Sequence, residues 1–107
     1  MRILGHYMGT EINEKWWYRY AESGFFARGK GEFWIENDSF FFQKYLINSI
    51  IEIPFEKVKE LKTGTWHAGQ WSANKPILKI LWVEEETILS SGFLLPKKEI
   101  DNILLSF

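Results

Sequence analysis

Polar and apolar positions alternate along much of the chain with the two-residue period of half-buried strands. Phe33 and Ile35 point one way, while Glu32, Trp34 and Glu36 point the other. Glu36-Asn37-Asp38-Ser39 supplies turn residues. Phe40 to Tyr45 is the next strand, and the run Phe40-Phe41-Phe42 calls for cover on both of its faces. Asn48-Ser49 breaks the pattern, Ile50 to Ile53 resumes it, and Pro54 ends it because proline has no ladder donor. Phe55 and Val58 are spaced as in a single helical turn. Lys59 to Trp66, Ile77 to Val83 and Thr87 to Leu95 read as further strands, and Ile77 to Val83 is apolar enough to be central. Glu84-Glu85-Glu86 reads as the turn between the last two, which pairs Val83 with Thr87 and sets Trp82 opposite Ile88. The small run Ser90-Ser91-Gly92 leaves room for a large ring or a close backbone.

The period changes at the two ends of the chain. Ile100, Ile103, Leu104 and Phe107 form one helical stripe, Pro96 suits its first turn, and so short a helix needs a sheet to lie on. Near the start, Ile12, Trp16 and Tyr20 share one helix face, with Thr10 as cap and Gly24 as stop. "WWYRY" is equally rich in strand formers. The spacing favours a short helix here.

The stretch "GTWHAGQW", residues 64 to 71, holds the candidate chemistry. A two-residue turn at Ala68-Gly69 sets His67 against Gln70 and Trp66 against Trp71, with both indoles on one face. Gly69 fits a positive-φ position and Ala68 is strained there, so a four-residue loop from His67 to Gln70 is the alternative. The structural reading is a hairpin tip held by two Trp, with His67 and Gln70 pointing into water. The functional reading is a flat aromatic surface for a sugar, a lipid tail or a partner's side chain, with His67 and Gln70 as polar contacts at its border. Trp16 and Trp17 read either as cover for a core edge or as a second recognition platform.

Charge and composition narrow the function classes. Thirteen basic residues against fourteen acidic ones give a net charge of −1, so nucleic acid is excluded as an expected partner and anionic membranes are disfavoured. There is no cysteine, hence no disulfide or thiolate chemistry. Trp, Tyr and Phe number 6, 4 and 9, enough aromatic surface for a core without metal or disulfides. His6 and His67 are the only histidines, and no acidic residue lies within four positions of His67. No metal site, catalytic residue or cofactor is therefore expected. Gly29-Lys30-Gly31 fails as a dinucleotide fingerprint, because Trp34 stands where the third glycine belongs. "MRILGHYMGTE" is too polar for a signal peptide, so a cytoplasmic location is expected.

Strands followed by one amphipathic helix resemble the pleckstrin-homology-like fold, and the GRAM and bacterial PH-like branches within it. The resemblance is carried by "GKGEFWIENDSFFFQKY", "IIEIPFEKVKELKTG" and "ILKILWVEEETILSSGFLLPKKEIDNIL", about residues 29 to 107. It implies a mainly β domain spanning 1-107: an antiparallel barrel or split barrel of six to seven strands, capped by the C-terminal helix. Residues 1-28 are then an N-terminal extension that supplies either a strand or a helix. Phosphoinositide-binding relatives carry several Lys or Arg at the first hairpin, whereas Glu36, Asn37 and Asp38 stand here, and an acidic tip repels phosphate.

The expected function is a non-catalytic binding module for a protein or peptide partner, self-association included. The alternative is small-molecule binding on the Trp66/Trp71 face, and a third class is an enzyme using His67. A peptide binder calls for an open strand edge, a ligand binder for a concavity under the Trp pair, and an enzyme for a carboxylate within hydrogen-bond reach of His67.

Overall fold

The computed structural model describes residues 2–21, 25, 27–45 and 49–106. Strand β1 (Ile3–Ile12) turns through Asn13-Glu14 into β2 (Lys15–Arg19). A meander follows, made of β3 (Gly29–Glu36), β4 (Ser39–Lys44) and β5 (Ile50–Pro54). A single 3₁₀ turn, Phe55–Lys57, leads to β6 (Val58–Gly64). The short strands β7 (Trp66–His67) and β8 (Gln70–Trp71) make a separate hairpin. The chain ends in β9 (Ile77–Glu84), β10 (Thr87–Leu94) and the helix α1 (Lys97–Ser106).

The main sheet is antiparallel and runs β5-β4-β3-β1-β10-β9-β6, with β2 attached to β1. The middle strand is thus β1, from the N-terminal segment that the resemblance left as an extension supplying either a strand or a helix. The expected short helix over Ile12, Trp16 and Tyr20 does not form. Asn13 and Glu14 take φ values of 54° and 57°, which reverse the chain between Ile12 and Lys15 and break the helical spacing. The expected helix stop at Gly24 lies outside the described residues. β9 lies one place in from the β6 edge, not at the centre.

The sheet is not closed into a barrel. β5 and β6 end the order, although only three residues separate them in the chain. Side chains cover this gap instead of ladder bonds: Phe55, Val58 and Leu61 pack on the core, and Ile103 of α1 lines a narrow apolar cleft with them. Of the expected helix stripe, Ile100 and Ile103 are buried and Leu104 is exposed. Phe107 lies outside the described residues.

The β9–β10 turn is one residue shorter than the acidic run implied. Glu84 pairs with Thr87 around Glu85-Glu86, which moves Leu89, not Ile88, opposite Trp82. The φ values of 48° and 69° there, like 50° and 58° at Asn37-Asp38, mark two-residue turns whose twist matches the strands.

The inner face carries the aromatic core, with Tyr7, Phe33, Phe40, Phe42, Trp82 and Phe93 buried in one cluster. Its polar atoms are joined in a line. Trp82 Nε1 donates to Ser91 Oγ at 3.0 Å, Ser91 Oγ lies 2.7 Å from Thr10 Oγ1, and Thr10 Oγ1 lies 2.6 Å from Tyr7 Oη. Tyr7 Oη donates to the Phe25 carbonyl at 3.1 Å. The indole can only donate and the carbonyl can only accept, so each hydroxyl between them must donate onward in the same direction. Burial pushes the Tyr7 phenol well above its ordinary value, which keeps it a donor.

Candidate functional site

Two glycines open the outer face of the sheet. A bulge at Met8 shifts the β1–β10 register, so that Gly9, at φ 107°, falls opposite Gly92. Residues facing outward on either side, Glu11 and Ser90, are buried although they point away from the main core. The β7–β8 hairpin covers them. Ala68-Gly69 is its turn, with φ values of 51° and 82°, and the pairs are Trp66↔Trp71 and His67↔Gln70. The two-residue turn is therefore the form adopted, and Ala68 takes the left-handed conformation in a fully buried position. Met8, Ala68, Ile77 and Leu81 are buried but stand apart from the main aromatic cluster.

His67 is the pin of this arrangement, not a water-facing residue. Its side chain is 0% exposed, a correction to the sequence reading. The hairpin lies flat on the sheet, so the face opposite the indoles meets backbone where two side chains are missing. A Cβ at position 92 would sit 2.7 Å from His67 Cγ and Nε2. Of the two fillings the small run Ser90-Ser91-Gly92 left open, a large ring or a close backbone, the space at Gly92 is taken by the His67 imidazole. His67 Nε2 lies 2.9 Å from the Gly9 carbonyl and must donate to it, which fixes the tautomer. Nδ1 then has no hydrogen-bond partner, and the nearest carboxylate oxygen, Glu11 Oε2, is 3.9 Å away. That same oxygen accepts from the Ala68 amide at 2.8 Å. Burial holds His67 below its ordinary value; the Gly9 bond and Glu11 oppose this without reversing it.

Two arginines clamp the tip from outside. Arg19 and Arg28 both donate to the Ala68 carbonyl, and Arg28 Nε also donates to the Met8 carbonyl at 3.0 Å. Glu11 and Arg19 were not singled out in the sequence, because each acts on a residue far away along the chain; Arg28, which with Lys30 reads from the sequence only as a weak pair of bases for a phosphate, is bound to backbone carbonyls instead. The remaining candidates separate into two places. Gln70, Trp66 and Trp71 are exposed on the hairpin, and no ring contact joins the two indoles among the described residues. Trp16 and Trp17 lie on β2, with ring centroids 5.7 Å apart at 81°. Trp16 reaches the hairpin tip, since a Cβ on Gly69 would meet its ring at 3.2 Å.

β2 is paired unusually. Ile12 faces Lys15 and Glu11 faces Arg19, so Trp16, Trp17 and Tyr18 have no partner residues on β1 and stand out as a three-residue bulge. They are 50%, 64% and 54% exposed. Among the described residues, no three His, Asp or Glu side chains gather as a metal site would require, and no helix is long and apolar enough to cross a membrane. No family model, curated protein or solved structure matches the chain.

Proposed function

We propose that the chain is a non-catalytic binding module of pleckstrin-homology-like architecture, and that it holds a protein or peptide partner through the aromatic bulge of β2. The architectural part rests on the antiparallel sheet with its single C-terminal helix. The functional part rests on one observation: three consecutive aromatic residues held out of the ladder and left half exposed or more. Surface of this kind carries a cost in water that a partner removes. Trp and Tyr flanked by Lys15 and Arg19 have the composition of interface hot spots. The near-perpendicular Trp16 and Trp17 rings form a notch for an inserted side chain, not a flat stacking surface for a sugar.

A catalytic role for His67 has less support. A general base must touch the proton it removes. This ring is sealed under the hairpin and uses Nε2 on a backbone carbonyl.

The test is selection from a displayed peptide library, followed by titration of the selected peptide. Trp17→Ala is expected to weaken binding at least tenfold at unchanged melting temperature, with amide shifts centred on residues 15–19. Equal binding by the variant, or shifts confined to the β5 or β6 edge, would refute the assignment.

A further inference from the structure

On the other side of the hairpin from the bulge lies a groove of about 560 Å³, between β8, the first half of β1 and the end of β10. Its apolar lining includes Leu4, Met8, Trp71 and Leu94. Leu4 and Trp71 are among the most exposed large apolar side chains of the described residues. Its charged and titratable lining consists of His6, Lys30 and Lys75, with no Asp or Glu. In a chain whose charges nearly cancel, this is a local departure. It is sharpened by register: His6 and Lys30 are direct cross-strand partners on the outer face, and His6 also faces Leu94 across β10. Two bases set opposite each other repel when both are charged. Burial, then Lys30 and Arg28, hold the His6 imidazole below its ordinary value.

The groove therefore combines an apolar surface with basic side chains and no carboxylate in its lining, and its volume falls within the roughly 300–1,000 Å³ of small-molecule sites. We propose that it binds a small anionic amphiphile, a single-chain carboxylate. The tail lies along Leu4, Trp71 and Leu94, and the head group meets Lys30, Lys75 and His6. A sugar would leave the lysines unanswered. A polyanionic head group would leave the apolar lining without a partner. A carboxylate with a hydrocarbon tail matches both parts, and the bound anion relieves the repulsion between His6 and Lys30. This site is separate from the β2 bulge and stands or falls independently of it.

The probes are decanoate, decanol and decylamine, each titrated into the full chain below its aggregation threshold, with indole fluorescence and the His6 ring resonances as readouts. Decanoate is expected to bind at least tenfold more tightly than decanol and decylamine not at all, and the His6 titration midpoint should rise when decanoate is bound. Lys30→Gln with Lys75→Gln should lower decanoate affinity at least tenfold. Both lysines are exposed, so unchanged melting confirms that the double variant is folded. Trp17→Ala should leave decanoate binding intact, which separates this site from the bulge. Equal affinity for decanoate and decanol, or a double lysine variant that binds as tightly as wild type, overturns the proposal. Sedimentation with phosphatidylglycerol vesicles without binding of free decanoate overturns it in favour of a membrane surface.

Discussion

Gly92→Ala is a one-methyl change for which two physical effects predict opposite signs. Glycine inside a strand is destabilising relative to alanine by roughly 0.5–1 kcal/mol, so backbone propensity alone predicts a gain. The new Cβ, however, falls inside the imidazole of His67, 2.7 Å from Cγ and Nε2. If the hairpin stays down, the ring and sheet must be forced apart, and overpacking of this kind costs about 1–3 kcal/mol. If the hairpin lifts, the His67–Gly9 bond and the charge-assisted Ala68–Glu11 bond are lost, at about 1 and 1.5–3 kcal/mol. Either route outweighs the propensity gain. The expected net loss is about 2–3 kcal/mol, a fall in melting temperature on the order of 10–20 °C for a chain of this size. Thermal and urea unfolding measure it, and the fluorescence of the hairpin indoles reports whether the hairpin has lifted. A double-mutant cycle isolates the cause. In a His67→Ala background the methyl has room, and the cost of Gly92→Ala should shrink to below about 1 kcal/mol. A Gly92→Ala protein at least as stable as wild type, or a penalty that persists without the imidazole, would refute the pinned-hairpin account.

Further outcomes rest on other features. His67 is held below its ordinary value, so the unfolded chain takes up a proton near pH 6.5 while the fold resists it. Stability should be full above that pH and fall on acidification toward pH 5, by at most about 1.4 kcal/mol per pH unit from this group; urea midpoints that are flat or rise on acidification would contradict the sign. Ser91→Ala should cost about 1–3 kcal/mol in chemical denaturation, because it strands the Trp82 indole donor in the core; a neutral result would remove the buried hydroxyl line as a stabilising element. Glu85→Asn with Glu86→Gly should raise stability by about 1 kcal/mol, since both positions have positive φ and carry adjacent like charges; no gain in melting temperature would count against strain at that turn.

β3 and β5 were legible because buried and more exposed positions alternate along them, and β9 was legible as a nearly continuous apolar run. The final helix was legible by its helical spacing at Ile100 and Ile103. β1 was not legible: Gly5, the Met8 bulge and Gly9 interrupt its alternation, and Thr10 and Glu11 are buried polar residues whose partners lie far away in sequence. β2 misled because Trp16, Trp17 and Tyr18 leave the ladder, and residues outside a ladder carry no strand period. At the candidate site, the Trp66↔Trp71 and His67↔Gln70 pairs followed from local turn chemistry. The burial of His67 did not, because it depends on where a whole hairpin comes to rest. Its receptor is an absence of side chains at Gly9 and Gly92, which is visible only once the strands are in register.

The pairing of β1 with β10 also sets a timetable for the chain as it is made. Gly9 emerges before its partner Gly92, and all the residues between them must be added first. At roughly 5–20 residues per second, that interval is about 4–17 seconds. During it, β1 is the middle of a sheet with one side unfilled, and Tyr7 and Met8 have only part of their eventual cover. The β3–β4–β5 meander closes by neighbouring hairpins and can form at once, whereas the hydroxyl line and the His67 pin wait for Ser91 and Gly92. Folding should therefore be limited by this single late ladder, as for other sheets held by non-local pairs. A nascent chain stalled before β10 would offer an unpaired edge to any neighbouring chain able to fill it.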